Sequence, residues 1–159
     1  MNDPSFGELE QAILERYKYF DGELVDLKYR RLVRALNGEG RYRTMVNGTR
    51  IFAHRVIFFL CHRRWPEDVV DHIDGNPTNN HIENLREATK QQNWVNTKRP
   101  KHNTSGIKGV CWVEHFQRWR GAVKHKDRVY AKMCHTKEEA AEFVRKKRIE
   151  IHGEFARHE

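Results

Sequence analysis

Apolar residues at Leu9, Ile13 and Leu14 follow Asp3-Pro4, a spacing and start signal that predict a first helix. Asp21-Gly22 is a turn signal, and no clear period runs from there to about Arg34. Residues 41–46 and 49–53 flank Asn47-Gly48, the preferred pair for a two-residue hairpin turn. The apolar run 56–61 predicts a short helix ending before Pro66. Residues 69–73 then read as a strand, residues 74–80 are dense in turn formers, and residues 81–85 return as a shorter extended arm. Thr89 with Gln92 is a capping box, predicting a helix that carries Asn93 and Trp94 in its first turn. Strand, polar loop, strand and helix make a compact ββα unit.

Further along, residues 109–114, 118–125 and 128–134 are three short strands rich in aromatic and β-branched positions. Thr136 with Glu139 opens a helix in which Ala140, Phe143, Val144, Lys147 and Ile151 keep helical spacing, and Gly153 is placed to end it. A unit of this size buries only about 60% of its chain surface, so the helix must cover one sheet face and leave the other for a partner. In the middle strand Trp119, Gly121 and Val123 face the helix, while Arg118, Arg120, Ala122 and Lys124 face outward. Residues 99–106 hold no strongly apolar side chain and read as a connector. The expected organisation is a domain over 1–98, a linker over 99–105 and a second domain over 106–159.

Composition narrows the function classes. Of 159 residues, 38% are hydrophobic and 33% charged, and no apolar run approaches the roughly 20 residues a bilayer span needs. The first residues carry neither a basic nor an apolar signal segment, and three cysteines are an odd count, so an intracellular, reducing setting is expected. Thirty Lys and Arg against 22 Asp and Glu give a net +8 and a pI near 9.6. Most of that excess lies after residue 98. A basic balance points to a polyanion as partner, with a merely solvated basic surface as the alternative.

The densest chemistry is Asp71-His72, Asn84 and Asn93. Together with residues 69–93 as a whole, these resemble the HNH family of ββα-metal nucleases, in the form whose last histidine is asparagine. The hairpin before them and His54-Arg55 resemble the HNH homing endonucleases of phages. The resemblance covers residues 41–97 well and 1–40 poorly. It implies that Asp71 and Asn93 hold a divalent ion, Mg²⁺ or Mn²⁺, and that His72 is the general base. Asn84 would tie the loop arms and orient His72. The chemistry is coherent: histidine titrates near neutrality and can take a proton from water, and carboxylate and amide oxygens suit Mg²⁺. Neighbours on a strand point to opposite sides, so Asp71 and His72 can do different work. The plainer alternative is a polar turn beside a surface histidine. His54, His62 and His81 are open between structural and functional roles, and Cys61-His62 lacks the second pair a zinc site needs.

The C-terminal segment resembles AP2-type DNA-binding domains through residues 105–110, Trp112, Trp119, residues 136–141 and residues 152–156. In that family a three-stranded sheet enters the major groove. The resemblance makes Lys108, Trp112, Arg118, Arg120, Lys124, Lys126 and Arg128 the DNA-binding candidates. Gly121, Lys132 and Cys134 depart from the family pattern, and Trp112 and Trp119 are open between core and contact. The expected protein is therefore α+β, an N-terminal ββα-metal (HNH) module followed by an AP2-like three-stranded antiparallel sheet plus helix. It would be a homing-type endonuclease acting on double-stranded DNA, monomeric, without a small-molecule cofactor or membrane partner. Its setting would be the cytoplasm of a bacterial host, encoded by a phage or mobile element. The alternatives are a non-catalytic DNA-binding regulator on the same scaffold and an RNA-directed protein, for which no recognition module is visible.

Overall fold

The computed structural model describes residues 7–96 and 103–156. The expected helix start at Asp3-Pro4 and most of the expected linker lie outside them. Helix α1 (Glu8–Arg16) runs directly into strand β1 (Tyr17–Phe20). A turn on Asp21-Gly22, at φ 47° and 79°, returns it as β2 (Glu23–Asp26), which pairs in turn with β3 (Arg31–Leu32). The stretch without a period is thus a small antiparallel sheet, and strands of two to four residues are too short to print an alternation. Strands β4 (Arg43–Val46) and β5 (Thr49–Phe52) meet at Asn47-Gly48, with both residues at positive φ as a type I′ turn requires.

Helix α2 (Ala53–His62) is longer than its apolar run and stops where Arg63 turns left-handed. It buries Ala53, His54, Val56, Ile57, Phe58 and Phe59, so it is the centre of a core shared with Ile13, Tyr17, Leu24 and Val46. Two polar links fasten the N-terminal sheet to this core. Asp26, 3% exposed, takes the Arg16 guanidinium at 2.8 Å. The Tyr17 hydroxyl lies 2.6 Å from Thr44 Oγ1.

Strands β6 (Val69–His72) and β7 (Leu85–Ala88) pair antiparallel, placing His72 opposite Leu85 and Asp71 opposite Arg86. The return arm expected at 81–85 is displaced: residues 82–84 form one 3₁₀ turn, and the strand begins at Leu85. The cause is that the Ile82 amide donates to the Tyr19 hydroxyl at 3.1 Å and the Asn84 side chain is committed to Asp74. Helix α3 (Lys90–Val95) follows Thr89, and the Asp68 carboxylate accepts the Lys90 amide at 3.0 Å. The chain divides into two compact units between Lys90 and Gln91, inside α3.

In the second unit β8 (Val110–Val113), β9 (Arg118–His125) and β10 (Arg128–Cys134) form a sheet in the order β10-β9-β8. Helix α4 (Lys137–His152) covers one side, burying Val110, Val123 and Cys134 beneath Ala140 and Val144. Thr136 Oγ1 accepts the Glu139 amide at 3.2 Å, and the Glu139 carboxylate reaches back to the His135 amide at 3.1 Å. Ser105 Oγ, donating to the Val110 carbonyl at 2.6 Å, ties the loop before β8 to the sheet. Throughout, the chain is a mixed α/β protein of small antiparallel sheets.

Gly121 sets how closely α4 sits. A Cβ there would stand 2.7 Å from the Ala140 carbonyl oxygen and 3.1 Å from Phe143 and Val144. Backbone cannot swing aside as a side chain can. We expect Gly121→Ala to destabilise the second unit by about 1–3 kcal/mol through overpacking. Urea unfolding followed by tryptophan fluorescence checks this, and an unshifted midpoint would mean that α4 lifts freely.

Candidate active site

The pleat of β6 sends its last two side chains to opposite sides, and both are nearly sealed: Asp71 is 4% and His72 8% exposed. His72 lies edge-on to His54 of α2 with ring centroids 5.0 Å apart. His54 is 5% exposed and stacks on Phe52, so it backs His72. On the other side, the Asp71 carboxylate takes Arg86 Nε at 3.1 Å and Nη2 at 3.0 Å. These are cross-strand neighbours, and a buried carboxylate needs such a partner. Sequence spacing does not mark Arg86, because its role depends on strand register.

The loop between the strands fixes His72. Asp74 accepts hydrogen bonds from the Asn76 amide at 2.8 Å, Asn79 Nδ2 at 2.7 Å and Asn84 Nδ2 at 3.0 Å. Partial burial works against its charge, but these donors outweigh it and hold the carboxyl below its usual range. Asn84 also donates to the Asn79 carbonyl at 2.8 Å, while its own carbonyls hold the amides of Asp74 and Ile73. It ties the two arms of the loop, as expected. Beside it, His72 Nε2 sits 2.9 Å from Oδ1 of buried Asn80. An amide oxygen only accepts, so Nε2 carries the proton and the basic lone pair is on Nδ1.

Burial lowers the His72 pKa, against a smaller upward pull from the Asn80 hydrogen bond, and so favours the neutral ring. His81 packs over Gly22, where a Cβ would meet its ring at 2.7 Å, and stands 3.7 Å from Asp21. His62 lies against Phe58 one turn earlier. Asn93 is on α3, past the division of the chain. Among the described residues no three His, Cys, Asp or Glu side chains cluster as a metal site.

A family description, HNH endonuclease, matches residues 52–95. Protein 3.8 of Escherichia phage T7 is 41% identical over 88 residues, 55% of this chain and 73% of that protein. The chain belongs to the HNH endonuclease family. An uncharacterized HNH endonuclease of Acanthamoeba polyphaga mimivirus is 38% identical over 105 residues, 65% of this chain, which spans about half, 54%, of that protein. No solved structure matches the chain. The HNH match runs from the end of β5 through α3 and so contains His54, Asp71, His72, Asn80, Asn84, Arg86 and Asn93. Helix α1 and strands β1–β3 precede it.

The second unit separates the expected contact residues. Arg118, Arg120 and Lys124 share the side of β9 away from α4, beside Val113 and Met133. Trp112 pairs with Trp119 and therefore stands on the α4 side, its indole donating to Glu114 at 2.6 Å. Register decides this, and residue type alone could not. Arg128, opposite His125, is on that same side, Lys126 is in the turn at φ 51°, and Lys108 lies in the loop before β8.

Burial of His54 has a pH consequence. Desolvation, reinforced by His72, Arg41 and Arg55, pushes its pKa down from 6.5 to about 3. Between those values the unfolded chain binds a proton that the folded chain refuses, so stability rises with pH and is lost as pH falls below 6.5. The slope from one such group approaches about 1.4 kcal/mol per pH unit. We expect His54→Phe to remove about one proton's worth of slope between pH 6.5 and 4.5, measured by urea unfolding without divalent ions. An identical slope in both proteins would mean that His54 protonates in place.

Proposed function

We propose that the protein is a site-directed DNA endonuclease of the homing type, cutting with His72 as general base and one divalent ion. The observation that carries this reading is the placement of His72: it is buried, with Nε2 2.9 Å from Oδ1 of Asn80, an arrangement that supports Nε2 as the donor and Nδ1 as the base. His72 takes a proton from water as the water oxygen attacks phosphorus. The bond from phosphorus to the 3′-oxygen breaks, and that oxygen takes a proton from solvent, leaving 5′-phosphate and 3′-hydroxyl ends. His54 holds the ring plane, and Asn80 keeps the tautomer from flipping.

Asp71 and Asn93 fit the ion in kind, a carboxylate and an amide whose hard oxygens suit Mg²⁺ or Mn²⁺. Bound there, the ion supplies charge stabilisation at the phosphate and the leaving oxygen. Arg86 already holds the Asp71 carboxylate, which favours a second reading, a non-catalytic DNA-binding regulator on the same scaffold. Cleavage decides between them. The domain over 106–159 would act as an AP2-like grip on double-stranded DNA, with Arg118, Arg120 and Lys124 toward the duplex and the protein working as a monomer.

We expect His72→Ala to lower the cleavage rate by roughly 10²–10⁴-fold while folding and DNA binding persist. Asp71→Ala and Asn93→Ala should each raise the Mg²⁺ concentration that gives half-maximal cleavage of plasmid DNA. Wild-type turnover in His72→Ala sinks the base assignment, and unchanged metal titrations move the ion elsewhere. For the grip, replacing Arg118, Arg120 and Lys124 by Gln should flatten the slope of log K against log salt by about 0.9 for each phosphate no longer neutralised. Retained site preference and slope would place recognition outside the β9 surface.

A further inference from the structure

The first unit holds a second basic feature, outside the family match. A cavity of about 530 Å³ opens between β3 with the chain after it and the β4–β5 hairpin. Five of its lining side chains are Arg16, Arg31, Arg34, Arg43 and Arg50, and its acid is Asp26. No lysine lines it.

Two of these guanidiniums are spoken for. Arg16 holds Asp26, and Arg34 reaches Glu23 at 2.8 Å. Arg31 lies over the Tyr29 ring, and Arg31, Arg43 and Arg50 make no ion pair among the described residues. Cross-strand register explains how they converge: Arg50 pairs with Met45, so Arg43, Met45 and Arg50 project from one side of the hairpin. On the opposite wall Asp26 pairs with Arg31. Three unneutralised cations around one hollow repel each other, a standing cost to folding that an anion in the hollow would relieve.

The lining also has a pattern. Leu32 and Met45 sit between the arginines and are 39% and 49% exposed. Guanidinium groups match phosphate by two parallel hydrogen bonds, which ammonium groups cannot do. Exposed apolar side chains between them suit the sugar that separates one phosphate from the next. We propose that this groove binds the sugar–phosphate backbone of duplex DNA, with Arg31, Arg43 and Arg50 on phosphates and Leu32 and Met45 against deoxyribose. This deepens the nuclease reading: the cutting unit would hold its own substrate strand, independently of the C-terminal sheet.

The test uses the full chain in chelator, so that cleavage does not enter the isotherms. Binding of a labelled duplex is followed by fluorescence anisotropy across a salt series. The triple variant R31Q/R43Q/R50Q should weaken binding at least about tenfold and lower the salt slope by between about 1 and 3, at about 0.9 for each phosphate released from its arginine. It leaves Arg16–Asp26 intact, and its melting by circular dichroism is compared with wild type. Should it fail to fold, the three single substitutions are scored instead, each expected to lower the slope by about 0.9. Unchanged slope and affinity overturn the proposal. So does a groove dependence confined to inorganic phosphate or to an RNA hairpin competitor. A wild-type chain that binds DNA through the groove but never cleaves in Mg²⁺ sinks the nuclease reading alone. One that cleaves, with the slope unmoved by the triple variant, sinks the groove alone.

Discussion

Asp74 accepts hydrogen bonds from the Asn76 backbone and from the side chains of Asn79 and Asn84, and the position of His72's partner follows from that closure. Residues 74–80 hold no core side chain, so hydrophobic packing cannot hold the loop in one shape. Ordering each residue costs about 1–2 kcal/mol of backbone entropy. A charged acceptor makes each bond stronger than a neutral one, and these contacts offset part of that cost. Closed in this way, the loop delivers Asn80 to His72 and Ile82 to Tyr19. The Tyr19 link ties the loop to β1, so the N-terminal sheet, outside the family match, buttresses the site.

The two residues at the end of β6 meet opposite electrostatic demands with one device, burial. Desolvation lowers the pKa of His72 and favours its neutral form. A buried carboxylate needs a counter-charge, and Arg86 supplies it across the strand pair. The pleat lets both conditions hold on adjacent residues by sending the two side chains to opposite sides of the strand. If Asp71 and His72 shared a side, the guanidinium would oppose any proton arriving on the ring.

Features encoded locally were legible in the sequence. Asn47-Gly48 gave the β4–β5 hairpin, Thr136 with Glu139 gave the start of α4, and alternation in residues 118–124 gave the two sides of β9. The Asp71-His72 pair and the role of Asn84 as a loop tie were legible too, through the family pattern. What was not legible depends on partners distant along the chain. Strands β1–β3 are too short to alternate visibly. Asn80 rather than Asn84 meets His72 because Asp74 claims the latter, a competition among asparagines that spacing does not rank. Trp112 sits toward α4 because of its register with Trp119, where its type left core and contact open.

Charge was the least faithful guide. Counted by segment, the first 98 residues are nearly balanced, and most of the excess lies after them. A count treats every charge as equally available to a partner. In the structure Asp26, Asp71 and Glu87 are each held by an arginine, and Asp74 is wrapped in amide donors. Their fields are largely cancelled within a few ångströms. Arg31, Arg43 and Arg50 have no acidic partner among the described residues, and they face a common hollow, where low-dielectric walls concentrate the potential. The surface seen by a phosphate is therefore positive even though the sum is close to zero. Pairing geometry, not composition, determines where this chain attracts an anion.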